Sequence, residues 1–224
     1  MDLKKRLPGI KKCASQTDEQ TIRSKKLYHI AVDDQSLTMK RIVDILLAGV
    51  SSAVFAIPIL IIAIIVKNSS PGPVLYWSDR VGRNNTLFRM PKFRTMKVET
   101  PAVATHLLAS PDQYLTRIGR VLRRYSLDEL PQLLSVFKGD MSFVGPRPAL
   151  FNQDDLIEMR TQKGIHVLEP GITGWAQING RDDLPIPVKV AFDEHYLKCR
   201  SFAFDLKILF MTFFSVLYSK GVRH

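Results

Sequence analysis

Cysteine is scarce in this 224-residue chain: Cys13 and Cys199 are the only two. They lie far apart and outside any metal-ligand spacing, which excludes a disulfide framework and a cysteine-held zinc site and fits a reducing, cytoplasmic setting. No glycine-rich P-loop and no dinucleotide-binding fingerprint occurs, so phosphate held in either of those ways is not expected. Acidic residues are in deficit, 21 Asp and Glu against 32 Lys and Arg, for a formal charge of +11. That excess points to an anionic partner: nucleic acid, an acidic membrane surface or a phosphorylated substrate. Hydrophobic residues are not lacking; at 46% they exclude disorder throughout and suffice for one domain core.

Charge is missing altogether from Ile45 to Val66, a stretch long enough to cross a bilayer core of about 30 Å. Many charged residues precede it, which excludes a secretory signal and leaves a membrane anchor. Pro58 removes a backbone hydrogen bond past its middle, and Ser51 and Ser52 add polar groups one to two turns earlier, so a kink is expected. Lys40 and Arg41 flank one end and Lys67 the other, so the positive-inside bias does not separate them. A re-entrant helix and a kinked spanning helix fit equally well on these grounds. A second apolar run, Phe202 to Lys220, contains Asp205 and Lys207, and its uncharged part is too short to span. It reads as a helix lying in the interface, with Lys220 and Arg223 near headgroups, or as a terminal core helix. Residues 1–39 mix charged and polar types without periodicity and read as a mobile, basic extension.

The segment between the apolar runs carries the motifs. Turn residues at Ser70 to Pro73 and Gly82 to Thr86 bracket strands expected at Val74 to Trp77 and Leu87 to Met96, a β-hairpin studded with Arg80, Arg83, Lys92 and Arg94. Charges along a hairpin are ordinarily its solvated face. Farther on, Leu115, Ile118, Leu122 and Tyr125 fall on one helical face and Arg117, Arg120 and Arg124 on another. Then "RRYSLDELPQL" places Asp128 and Glu129 just ahead of Pro131. Ser126 and Glu129 match the S-x-x-E capping box, so this segment alone favours a capping role over catalysis. "GDMSFVGPRP" sets Arg147 between stiffening prolines, which suits a guanidinium that grips phosphate. "PGITGWAQINGR" adds Gly171 and Gly174, which allow a ligand close approach to the main chain, and Arg181. Together these motifs outline a phosphate site.

"KRIVDILLAG", "SPGPV", "RVGRN", "KFRTM", "SLDELPQL", "GDMSFVGPRP" and "PGITGWAQINGR" occur in an order that resembles the bacterial sugar transferases, or monotopic phosphoglycosyl transferases. The resemblance covers the chain from about Lys40 onward. It implies an α+β, mostly helical fold: a re-entrant membrane helix hairpin, interfacial amphipathic helices and a small β-hairpin around an active site on the cytoplasmic face of the bacterial inner membrane. The divisions expected are a basic extension over 1–39, the re-entrant helix over 40–67 with its break near Ser52 to Pro58, a catalytic domain over 68–200 and a C-terminal interfacial helix over 201–224. The implied reaction moves a sugar 1-phosphate from a UDP-sugar to a polyprenyl phosphate and releases UMP, through a covalent phosphosugar-aspartate, as the first membrane step of a surface glycan pathway. Asp128 matches the nucleophile and Glu129 its dyad partner, both at a magnesium ion, while Arg147, Arg181, Arg123, Lys92 and Asp193 match charged positions around them. Two phosphates repel each other, so a carboxylate that divides the transfer into two steps makes chemical sense. Magnesium accepts one or two carboxylates plus substrate phosphate, which suits an adjacent acidic pair. The partners implied are the UDP-sugar, the polyprenyl phosphate and membrane lipids, with a homo-oligomer allowed. Nucleic acid is disfavoured by the membrane segment and the lack of a binding motif. A catalytically silent scaffold that recruits glycosyltransferases is the alternative.

Overall fold

The computed structural model describes residues 34–100, 111–180 and 184–217. The expected extension therefore lies outside the described residues as far as 33, as do Arg181, Lys220 and Arg223. Helix α1 runs from Asp34 to Ser69, starting ahead of the boundary expected at 40, and continues through Ser52 with Pro58 inside it. It is the one described helix long and apolar enough to cross a membrane.

One stripe of α1 is docked at both ends. Near the first end, Arg41 donates to the carbonyls of Val136 and Phe137, Lys40 to that of Val144, and the buried Asp44 carboxylate accepts from the Phe143 N–H. Ala48 joins Met90, Val136 and Met141 in a small core. Near the second end, Ile62 and Val66 bury themselves against Phe93 and Leu122. Between them Val54, Phe55, Ile57 and Leu60 are exposed. The 3.6-residue period from Asp44 through Ala48 to Ile62 and Val66 is the amphipathic signal of this helix, inverted by its surroundings: the narrow stripe faces protein and the wide one does not.

The expected hairpin forms, with β1 (Leu75–Val81), which runs on past the end expected at Trp77, antiparallel to β2 (Leu87–Phe93). The second strand ends sooner than Met96 because Arg94 turns inward to the carbonyls of Ser70 and Pro71. Of the four cations expected on a solvated face, only Arg83 is exposed, paired with Glu169. Helix α2 (Arg117–Arg124) is capped by the Thr116 hydroxyl and buries Leu122. Tyr125 lies beyond its last turn and is half exposed, so it does not share the packed face. The Leu127–Gln132 segment is a 3-10 helix leading into α3 (Leu133–Lys138).

A parallel strand pair follows, β3 (Ser142–Val144) with β4 (Gly171–Thr173). Helix α4 (Asp154–Gln162) lies between them in sequence; α5 (Trp175–Ile178), α6 (Ile186–Cys199) and α7 (Phe202–Leu217) complete the fold. The main core gathers Val144, Leu156, Ile165, Val190, Tyr196 and Ile208 from these elements. The glycines of the two loop motifs serve this packing rather than ligand approach. A Cβ at Gly145 would lie 2.3 Å from the Glu169 carbonyl, one at Gly171 2.1 Å from the Gly145 nitrogen, and one at Gly174 2.0 Å from the Gly145 oxygen. The two motifs lie main chain against main chain.

Helix α7 packs on the core along one side and exposes apolar side chains on the other. Ile208 is fully buried, and Asp205 accepts from Lys40 Nζ (2.7 Å) and the Tyr196 hydroxyl (2.6 Å), locking α7 to α1 and α6. Phe202, Leu206, Phe210 and Phe213 recur at helical spacing on the exposed side.

Candidate active site

The acidic pair occupies the 3-10 segment and does not cap it. Pro131, two residues on, has no N–H to give to an intrahelical bond and disfavours α geometry at Leu130, which works against a regular helix over the pair. Ser126 takes the left-handed conformation (φ 55, ψ 23) and its hydroxyl makes no capping bond. Glu129 does not reach back to Ser126; its Oε1 accepts from Lys92 Nζ at 2.7 Å and from Arg147 Nη2 at 3.1 Å. Both reciprocal bonds of a capping box are missing, which leaves the carboxylates available for another role.

Three separate elements supply the groups around the pair. Lys92 comes from β2, Arg123 from the last turn of α2 and Arg147 from the Pro146–Pro148 turn after β3. Arg123 is oriented by a bond from its Nε to Thr95 Oγ1 at 3.0 Å. Asp128 is only 7% exposed and lies in the field of Lys92, Arg123 and Glu129. Burial pushes its carboxyl above the usual range, and the two cations offset this only in part. Burial acts on Glu129 in the same sense, but the Lys92 ammonium and the Arg147 guanidinium outweigh it and hold that carboxyl well below the usual range. Adjacent carboxyls in different environments thus take different parts. Glu129 is a fixed anion that binds two cations, whereas Asp128 makes no salt bridge among the described residues.

Arg147 is itself held from behind. Arg160 Nη1 donates to the Arg147 carbonyl at 2.8 Å, and Arg80 Nη1 to that of Pro148 at 3.2 Å. Arg160 is kept in place by Asp193, whose Oδ2 accepts from its Nε at 3.0 Å and its Nη2 at 2.6 Å. Asp193 is therefore not beside the dyad: it acts on the site through Arg160 and the Arg147 main chain. Sequence reading missed Arg160, which lies in no motif, and Thr95, which lies in "KFRTM" but was not singled out; both act through contacts distant in the chain. Lys92, Arg123, Asp128, Glu129 and Arg147 are brought together; Arg181 lies outside the described residues.

Two adjacent hard-oxygen donors fit a magnesium ion that completes its shell with substrate phosphate and water. Among the described residues no cluster of three or more metal-binding side chains occurs, so those residues alone do not cage an ion. A cation there would also favour the ionised form of the buried Asp128.

Comparison with known proteins gives the family. The family described as bacterial sugar transferase matches residues 35–219. An uncharacterized sugar transferase, EpsL, of Bacillus subtilis is 40% identical over 190 residues, 84% of this chain and 91% of that protein. The UDP-glucose:undecaprenyl-phosphate glucose-1-phosphate transferase of Escherichia coli is 40% identical over 203 residues, 87% of this chain but 44% of its own length. A UDP-N-acetylgalactosamine-undecaprenyl-phosphate N-acetylgalactosaminephosphotransferase of Aeromonas hydrophila is 37% identical over 191 residues, 83% of this chain and 45% of that protein. The chain thus spans less than half the length of these last two relatives.

Proposed function

The chain belongs to the bacterial sugar transferase family, and from that premise we propose that it transfers a sugar 1-phosphate from a UDP-sugar to undecaprenyl phosphate. The observation that carries the proposal is a buried aspartate, without a salt bridge among the described residues, set beside a glutamate that already binds two cations. An Asp128 carboxylate oxygen attacks the phosphorus that bears the sugar. The bond from that phosphorus to the bridging oxygen breaks, and UMP leaves with the electron pair. The resulting acyl phosphate is attacked at the same phosphorus by an oxygen of the lipid phosphate, which restores the Asp128 carboxylate and gives the diphosphate-linked sugar. Lys92, Arg123 and Arg147 neutralise the phosphates as they approach. Asp128 and Glu129 would hold magnesium, which when bound screens phosphate charge as a Lewis acid.

We further read α1 as a re-entrant membrane helix that bends near Ser52 to Pro58 without losing its helical path. Support comes from its two ends: Lys40, Arg41 and Asp44 dock on the same body as Ile62 and Val66, while the residues between stand clear of it. Both ends would then lie on one side of the bilayer. The exposed phenylalanines of α7 would rest in the interface, so that the site meets a lipid phosphate whose tail stays in the membrane. The test is UMP release from a panel of UDP-sugars with undecaprenyl phosphate and magnesium. Release that depends on the lipid for one sugar establishes the activity and its donor; no release from any donor would favour the silent scaffold.

A further inference from the structure

The hairpin carries a second cationic cluster, on the face opposite the one that carries Lys92. Cross-strand pairing sets Lys92 opposite Tyr76, whereas Pro91 faces Trp77 and Arg89 faces Asp79. Side chains alternate along a strand, so Trp77, Arg89 and Leu87 leave the sheet on the side opposite Lys92. Trp77 is 38% exposed, and two cations lie over its ring: Arg89 Cζ is 5.5 Å and Lys138 Nζ 5.8 Å from the centroid. Among the described residues neither cation forms a salt bridge, although Asp79 lies across from Arg89 and Asp140 lines the same groove. Two like charges gathered on one open indole repel each other, and an anion between them would turn that repulsion into attraction.

The surroundings identify the anion. Leu75 and Phe93, on this same sheet face, pack against Ile62 and Val66 at one docking point of α1. At the other, Arg41 holds the carbonyl end of α3, the helix that carries Lys138. The groove is lined by Trp77, Leu87, Phe88, Arg89, Lys138 and Asp140, on the two elements that these docking points join to α1, and its Leu87 is an exposed apolar side chain. A tryptophan with cations beside it and apolar side chains around it is the pattern of a membrane interface.

We propose that this groove binds the headgroup of an anionic phospholipid, with Arg89 and Lys138 on its phosphate, the Trp77 indole at headgroup level, and Leu87 toward the acyl chains. The inference rests on the reading of α1 as a membrane segment. The opposite sheet face serves the reaction, so this lipid is a fixed boundary molecule and not the acceptor.

Bromine on an acyl chain near the headgroup quenches tryptophan only at short range, which supplies the test. The full chain is reconstituted in nanodiscs of phosphatidylcholine in which either brominated phosphatidylglycerol or brominated phosphatidylcholine is titrated. Phosphatidylglycerol should quench at a lower mole fraction, by about fivefold for each cation engaged. The chain has two tryptophans, and Trp77→Phe should remove the effect from the spectrum. Arg89→Gln with Lys138→Gln should bring the two lipids together, while Arg89→Lys should keep most of the preference. Equal quenching of the wild type by both lipids would overturn the headgroup site and leave α1 in the bilayer. No quenching by either would overturn the placement of α1 and this inference with it. Loss of the preference on adding millimolar inorganic phosphate would mark a general phosphate site and overturn the assignment to lipid.

Discussion

The Arg160–Asp193 pair holds the arginine loop and the fold at once, and a pair of substitutions separates the two roles. Arg160 is 8% exposed and Asp193 1%, and the guanidinium gives two of its bonds to Asp193 and a third to the Arg147 carbonyl. Asp193→Leu leaves Nε and Nη2 buried without partners. Breaking a buried pair from one side costs about 3–5 kcal/mol. A domain of this size loses roughly 2–4 °C of melting temperature per kcal/mol, so a thermal scan of the detergent-solubilised protein should fall by roughly 6–20 °C. Replacing both partners with apolar residues of similar volume, Arg160→Met with Asp193→Leu, removes the unpaired charge and should recover most of that loss. The bond to the Arg147 carbonyl is still missing in the double variant. A hydrogen bond from a charged donor contributes about 1.5–3 kcal/mol, so UMP release should remain about tenfold or more below wild type. A double variant with full turnover would show that Arg160 does not position Arg147. One that melts as low as the single variant would show that unpaired charge is not the cause of the instability.

Arg147→Ala should lower turnover by roughly ten- to a hundredfold without unfolding the protein, and Arg147→Lys should recover little, because a point charge cannot replace the fork; UMP release and a thermal scan report both. Gly174→Ala drives a methyl group into the Gly145 main chain and should prevent stable folding, read as loss of soluble protein on size exclusion, whereas Gly164→Ala, with nothing within 4 Å of its added methyl, should cost only left-handed backbone strain. Cysteines placed at Lys40 and Lys67 should be labelled from the same side of the membrane in intact cells, and Pro58→Leu should shift one of them; labelling of the wild-type positions from opposite sides would refute the re-entrant reading.

The hairpin was legible because its turn residues and apolar strands are local signals. The long apolar helix was legible because a long uncharged run is a matter of composition. The acidic pair misled at short range: Ser126 and Glu129 have the spacing of a capping box, but Lys92 and Arg147, distant in sequence, capture the glutamate and Pro131 works against a regular helix over the pair. The glycines of the two loop motifs suggested a ligand against the main chain, and the neighbour proved to be another stretch of main chain. No local pattern could show that Asp193 reaches the site only through Arg160, for that depends on how α4 and α6 pack. The double nature of α7 has the same origin. Its apolar residues cover more than one face, and only tertiary contact decides which of them the core takes.

The account turns on Asp128 as the atom that carries the phosphosugar, and one experiment addresses it directly. Wild-type protein incubated with its UDP-sugar and magnesium, without lipid acceptor, should release UMP up to about one equivalent and stop, leaving a phosphosugar on the peptide that contains Asp128. Asp128→Asn keeps the size and the backbone preferences of the side chain, so it should stay folded and release none. An adduct on another residue, or an active Asp128→Asn enzyme, would contradict the mechanism.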